Sequence, residues 1–487
     1  MRKISRCMST QHPDNVSNPF FASESVISGE DEIQEAYYVF SHLECDEQMW
    51  DCEGKEVDDF VVQKLLSRYE RFFRENILGR DKFLTLRVPN PTVERTDAKV
   101  LIETLEGIPR GYDAAQMFYN EDIAPVFEVI LPMTSSHKCL NRVYHYYRDL
   151  VVGKQDIIFP NDDKRIRDWI GDFRPEQINV IPLIEEKERM LAAEQIVGDY
   201  LADKQFEEQR VFLARSDPAM NYGMVSSVLL NKLALQDLEG LAEKISIEIY
   251  PILGVGTAPF RGNFRPDNWR EMVRNYPSVQ TLTVQSAFKF DFPEGQVREA
   301  LVDLKETGRG GAMYIDEQKS RQIIEKSSKE YSDQIGLIAP LVNSIADHIP
   351  ARRKRKLHIG LFGYSRSVDE VQLPRAITFC SALYSIGLPP EMLGLSCLSE
   401  RELEFFRDAD TAFDDDLRDA MQYFNPAVKR LLPAELTGKL REDLVEFSPN
   451  ERHIDLTGRT IDAFVHGKRE EVRSLVVESA WIRRFLG

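Results

Sequence analysis

The sequence predicts an α/β fold, a (β/α)8 TIM-type barrel with additional helices at the N-terminus, in loop insertions and at the C-terminus. Three observations predict it. About eight strand-like apolar runs recur along the chain, and helix-period stretches lie between most of them. This alternation extends over about 320 residues, which implies a parallel sheet that can close on itself. An open doubly wound sheet fits the same alternation, but no GxGxxG follows a first strand, which weakens its dinucleotide-binding version.

The strand-like runs cover residues 83–89, 124–132, 178–185, 211–217, 245–254, 279–290, 358–364 and 392–398. Helical patterns fill 185–204, where Met190, Leu191, Ile196 and Leu201 form the apolar stripe, and also 221–244 and 369–386. The long interval between Phe290 and His358 implies inserted helices. The barrel core is therefore expected over 83–400 of a single domain spanning 1–487, with 1–82 and 401–487 as mostly helical decoration. The acidic stretch 406–419 reads as a solvated helix face or loop.

Hydrophobic residues make up 43% of the 487 and charged residues 29%, as in a globular protein with a substantial core. A formal net charge of −18 argues against nucleic acid or an anionic membrane as the main partner. It leaves a small anionic substrate open, because clustered arginines can reverse the sign inside a pocket. The six cysteines show no CxxC pair and no zinc-like spacing, which points to reduced, buried thiols. With no apolar leader and no membrane-spanning apolar run, a cytoplasmic location is expected.

Three of the runs stop on charged residues: Phe83-Leu-Thr-Leu-Arg87, Ile178-Asn-Val-Ile-Pro-Leu-Ile-Glu185 and Val211-Phe-Leu-Ala-Arg-Ser-Asp217. Strand carboxyl ends are where barrel sites are built. Glu185 and Asp217 would offer two oxygen ligands to Mg²⁺ or Mn²⁺, with water and a substrate oxygen completing the shell. Capping explains each acid separately as well. Glu185 adjoins an acidic first helical turn, and Asp217 before Pro218 makes a good N-cap. Arg87 suits a bidentate clamp on phosphate or carboxylate, or a salt bridge to Asp97 or another nearby acid. Thr134-Ser135-Ser136 reads first as a helix cap, and its open N–H groups make Ser135 a candidate anion contact. The glycine-rich segment 254–262 allows close backbone approach to a ligand and carries Arg261. Gln285 and Arg366 occupy comparable strand-end positions. The basic run 352–356 reads as a solvated approach to strand seven, and His12, before Pro13, as a structural histidine or one titrating near neutrality.

Six motifs in order, Ser9-Thr-Gln-His-Pro13, Pro182-Leu-Ile-Glu185, Ala214-Arg-Ser-Asp217, Pro259-Phe-Arg-Gly262, Thr283-Val-Gln285 and Gly363-Tyr-Ser-Arg-Ser367, resemble phosphoenolpyruvate carboxylase in its short, archaeal-type form. Through the longer form's motifs, the resemblance implies that His12 is the catalytic histidine and that Glu185 and Asp217 are metal ligands. It implies likewise that Arg87 and Arg261 are catalytic arginines and that Gln285 contacts substrate. The longer form's FHGRGG anion loop has no counterpart in Ile252-Leu-Gly-Val-Gly-Thr257, and its lysine after the metal-binding aspartate is Met220 here. Arg366, Arg375, Lys289 and Arg309 are the candidates to replace those contacts. The implied reaction joins phosphoenolpyruvate and bicarbonate, through carboxyphosphate and an enolate, to oxaloacetate and inorganic phosphate, an anaplerotic carbon fixation. The resemblance also implies Mg²⁺ or Mn²⁺ and a homotetramer. Segments 254–262 and 307–312 are the candidates for mobile closure. Two other readings stay open: another metal-enolate barrel, such as an aldolase or lyase acting on an oxo acid, and a helical interaction scaffold using its acidic surface.

Overall fold

The computed structural model describes residues 3–95, 98–355, 366–368 and 371–487. Eight parallel strands close into a barrel in chain order. They are β1 (Cys7–Ser9), β2 (Glu47–Asp51), β3 (Phe83–Arg87), β4 (Glu128–Leu131), β5 (Asn179–Ile184), β6 (Glu208–Ala214), β7 (Glu248–Gly254) and β8 (Thr281–Val284). The ring closes where Met8 of β1 pairs with Thr283 of β8.

The pleat sorts the interior into layers, because alternate residues of a strand face the same side. At the amino ends of the strands the inward positions are ionic. Arg210 forks onto both oxygens of Glu47 at 2.7 and 2.8 Å and reaches Glu128 at 3.2 Å. Thr85 Oγ1 donates to Glu47 at 2.6 Å, and Arg210 also reaches Thr281. Removing one member of such a buried set leaves a charge unpaired, at about 3–5 kcal/mol. Two residues further along come the apolar plugs: Met49 after Glu47, Ile130 after Glu128 and Phe212 after Arg210, packed with Met8, Ile181, Leu183 and Ile252. One more step brings the strand-end groups, with Asp51 beyond Met49, Arg87 beyond Thr85, Glu185 beyond Leu183 and Gln285 beyond Thr283. The same parity that fills the barrel therefore aims these side chains at its carboxyl-end mouth.

The barrel occupies residues 7–284, not 83–400. Six of the expected runs contain strands, but two strands lie within 1–82, where mostly helical decoration was expected. Run 392–398 is not a strand. It follows the 3-10 turn Pro390–Met392, and Gly394 adopts φ 80° while its N–H donates to Gln334. Its apolar side chains reflect burial in a connection outside an already closed barrel. Run 358–364 lies outside the described residues. The inserted helices before it are Glu294–Glu306 and Glu317–Ala346, as expected. Pattern 185–204 forms the helices Lys187–Met190 and Ala193–Leu201, and pattern 221–244 forms Met224–Ile245. Stretch 406–419 is half interior, since Phe406, Phe413, Asp416 and Leu417 are all buried. The six cysteines are free, and five of them are buried.

Beyond β8 the chain is largely helical and returns over the mouth of the barrel. Helix Ala376–Ser385 sends Ala376 and Ile377 into the cavity there and packs against helix Arg469–Arg483. No helix among the described residues is long and apolar enough to cross a membrane.

Candidate active site

At the carboxyl ends of the strands lies a cavity open to solvent, lined by residues from most of the barrel strands and from the returning segment. Seven of the sequence-predicted residues meet in it: His12, Arg87, Glu185, Asp217, Arg261, Gln285 and Arg375.

Glu185 directly follows β5, is buried, and accepts from the Met133 N–H at 3.2 Å. Asp217 lies in the first turn of helix Ser216–Tyr222, whose N-cap is Arg215. The N-cap expected at Asp217 therefore belongs to Arg215, and Asp217 faces the cavity. Arg215 is itself buried and donates to Phe260 O at 2.8 Å, which ties this turn to the β7 loop. Among the described residues no cluster of three His, Cys, Asp or Glu side chains is placed to hold a metal. A cation beside Glu185 and Asp217 would take two carboxylates from the protein and the rest of its shell from water and substrate. That donor set fits Mg²⁺ or Mn²⁺ and not zinc.

Across from the carboxylates stand the cations. Arg87 forms an ion pair with buried Glu53 and approaches Asp51 at 3.7 Å, so it does meet nearby acids; Asp97, the partner named from sequence, lies outside the described residues. Burial alone would raise the Asp51 carboxyl, but Arg87 and Lys55 outweigh it and hold the group well below the ordinary aspartate range. Lys55 Nζ sits 2.5 Å from Asp51. His12 Nδ1 lies 2.8 Å from Thr10 Oγ1, and Nε2 lies 3.5 Å from Arg87 Nη1. Arginine only donates, so Nε2 is assigned as the bare nitrogen and Nδ1–H donates to Thr10. Burial, then the charges of Lys55 and Arg87, hold His12 well below its usual value, which keeps the ring neutral.

Arg261 is buried, and both of its terminal nitrogens are engaged. It donates to Gln285 Oε1 at 2.5 Å, to Gly487 O at 2.7 Å and to Asp14 Oδ2 at 3.3 Å. Gly256 makes room for it, since a Cβ there would sit 2.7 Å from the guanidinium carbon. Asp14 also accepts from Ala287 N at 2.7 Å, so the segment after His12 is tied to the ends of β7 and β8. Segment 254–262 is thus a packed turn, with Gly256 N bonded to Arg261 O, and not a mobile flap.

Three candidates lie elsewhere: Ser135, Lys289 and Arg309. Ser135 is half-buried and does not line the cavity, and the helix it precedes is capped at Ser136. Lys289 is buried behind β1, donating to Ser9 Oγ, Thr10 O and Glu35. Arg309 is at the opposite end of the barrel, bonded to Ile249 O and Glu248 at the start of β7. The 307–312 loop is held there through Gly310 N on Pro277 O, so it cannot close over this mouth. Arg366 lies in strand β9 (Arg366–Val368), paired antiparallel with β10 (Val371–Leu373), and its side chain is outside the described set.

Two lining cations escaped the sequence reading, Lys55 and Arg355. The basic run 352–355 is not solvated at its start, although Lys354 is exposed. Arg352 donates to Asn15 O and Val16 O, and Arg353, fully buried, bridges Glu32 and Glu35. The signal for Lys55 was a Gly54-Lys55 turn after β2, a strand too polar to be seen.

The family model described as phosphoenolpyruvate carboxylase matches residues 4–487. The chain belongs to the phosphoenolpyruvate carboxylase family. The protein named phosphoenolpyruvate carboxylase from Methanothermobacter thermautotrophicus is 53% identical over 485 residues, covering all of both chains. Its namesake from Methanospirillum hungatei is 51% identical with the same coverage. That from Pyrococcus furiosus is 51% identical over 453 residues, 92% of this chain and 94% of the relative. The first two of these relatives of the phosphoenolpyruvate carboxylase family align with this chain over its full length, and the barrel mouth is where seven of the predicted groups converge.

Proposed function

We propose that the chain carboxylates phosphoenolpyruvate with bicarbonate, giving oxaloacetate and inorganic phosphate, and so acts as an anaplerotic carbon-fixing carboxy-lyase. The observation that carries the reading is one cavity with cations facing a carboxylate pair, in a chain 53% identical to a protein named phosphoenolpyruvate carboxylase. Glu185 and Asp217 would hold Mg²⁺ or Mn²⁺, which when bound supplies positive charge beside the enol oxygen.

Bicarbonate oxygen attacks phosphorus, and the bond from phosphorus to the enol oxygen breaks, leaving carboxyphosphate and the enolate. Arg87 neutralises the phosphoryl oxygens as charge spreads over them. His12, neutral and with Nε2 bare, takes the carboxyl proton of carboxyphosphate, which then separates into CO₂ and phosphate. The enolate carbon attacks the CO₂. Arg261 and Gln285, locked to one another, shape the wall against which this happens. Water must be kept out, since it would protonate the enolate. Family membership likewise supports a cytoplasmic homotetramer.

The test is a coupled assay for oxaloacetate with phosphoenolpyruvate, bicarbonate and Mg²⁺, each omitted in turn. Product should require all three. Turnover of phosphoenolpyruvate without bicarbonate would favour the aldolase or lyase reading, and no metal-dependent binding of it would favour a scaffold.

A further inference from the structure

The family motifs leave Lys55 and Arg355 without a role, yet the fold goes to some length to bring them to the cavity. The turn after β2 and the segment returning after helix Glu317–Ala346 meet through an antiparallel bridge between these two residues, about 300 positions apart in sequence. The returning segment is fixed by buried arginines just before it. Arg353 pairs with Glu32 at 2.7 Å and Glu35 at 2.6 Å, and Ile27 bridges Arg353 in parallel. Arg375 leans over the same turn, where a Cβ on Gly54 would lie 3.8 Å from its Nη1. Lys55, Arg87, Arg355 and Arg375 thus share one side of the cavity.

Asp51 and Glu53 offset part of this charge, yet the cations still repel one another. Burial, against the pull of Asp51 and with the push of Arg355 and Arg375, lowers Lys55 to about 8. Burial and then neighbouring Arg375 lower Arg355 to about 10. An anion seated between them would relieve the repulsion that the backbone now enforces. A phosphoryl group has three terminal oxygens and carries up to two negative charges, so it is best met by several donors converging from separate segments. Bicarbonate is flat and singly charged, and one arginine fork satisfies it. Glu185 and Asp217 themselves are acceptors only and offer a phosphate dianion no donor.

We infer that Lys55 and Arg355, together with Arg87, form the phosphoryl subsite and select a dianionic phosphoryl group over bicarbonate. The assignment rests on the proposed carboxylation for its substrate, but phosphate binding tests it separately. The full-length protein is titrated with inorganic phosphate by calorimetry, for wild type, Arg355→Gln, Arg355→Lys and Lys55→Gln, with circular dichroism as the folding control. Wild type should bind phosphate. Arg355→Gln should weaken it by about tenfold to a hundredfold, the range for losing a charged hydrogen bond, and Arg355→Lys should recover part of the loss. In steady state, Arg355→Gln should raise the KM for phosphoenolpyruvate and leave that for bicarbonate within about twofold. Wild-type phosphate affinity in folded Arg355→Gln, or a rise confined to the bicarbonate KM, would overturn the subsite. If wild type bound phosphate and lost it in Arg355→Gln but formed no oxaloacetate, the subsite would stand and the carboxylation would fall.

Discussion

Gly256→Ala is a one-methyl perturbation aimed at Arg261 from behind. The added Cβ would meet the guanidinium carbon at 2.7 Å and its two terminal nitrogens at 2.8 and 2.9 Å. Ordinary contact begins near 3.4 Å, so the guanidinium must retreat by about 0.7 Å. It has nowhere to go without losing partners. The bond to Asp14 is already 3.3 Å long and would break, while those to Gln285 and Gly487 would stretch from 2.5 and 2.7 Å. Overpacking of this kind typically costs about 1–3 kcal/mol. A displacement approaching 1 Å beside a reacting centre lowers rate by as much as ~100-fold. We expect kcat/KM for oxaloacetate formation to fall by about 10- to 100-fold, with a modest drop in the thermal midpoint. Gly240→Ala is the control, because nothing lies within 4 Å of a Cβ there. In the interior of helix Met224–Ile245 it should be stabilising by up to ~1 kcal/mol and silent in the assay. If Gly256→Ala kept kcat/KM within about twofold of wild type, the position of the Arg261 guanidinium would not matter to the site and its assigned role would be wrong.

Asp217→Asn should leave the protein folded and lower Mg²⁺-dependent carboxylation by about a hundredfold or more; near-normal turnover would dismiss the carboxylate pair as the metal site. His12→Asn should lose oxaloacetate formation by about 10²- to 10⁴-fold while keeping some bicarbonate-dependent phosphate release, read with a phosphate-specific dye, and full carboxylation would remove His12 from the reaction. The pH profile of kcat/KM follows from two lowered groups. His12 works as a base in its neutral form, so activity should persist as pH falls through about 6.5, failing only below it. Lys55 works in its charged form, so activity should decline as pH rises through about 8. Lys55→Gln should shift the acid limb upward, because one of the charges that lowers His12 is gone.

The fold was legible where strands are apolar on both faces and invisible where function or the ionic plug made them polar. Strands β3 to β8 show as hydrophobic runs because they are sandwiched between the interior and the surrounding helices. Strand β2 has the same environment, but two of its five residues, Glu47 and Asp51, belong to the plug and the mouth, so Glu47-Gln-Met-Trp-Asp51 reads as no strand at all. Strand β1 spans only three residues, too few for any period to register. The 392–398 run erred the other way. Burial made it apolar, and composition alone cannot separate a buried turn from a buried strand.

The same physics explains why half of the site was readable. Glu185 and Asp217 follow long apolar strands, so a local scan finds them, and adjacency of β5 and β6 brings both to the same cavity. Lys55 follows the hidden strand, and Arg355 reaches the mouth only because Arg352 and Arg353 are anchored on segments near the N-terminus. No window of sequence contains both ends of that arrangement. Its logic is nonetheless physical. Packing mutually repelling cations around a cavity requires a scaffold that fixes each from a different direction, and buried Glu32, Glu35, Asp51 and Glu53 supply the opposing charges. A contiguous glycine-rich loop achieves the same end with backbone N–H groups, which carry no net charge to be held apart. Where such a loop is absent, the cations must come from segments distant in sequence, and the buried acids behind them become as necessary as the cations themselves.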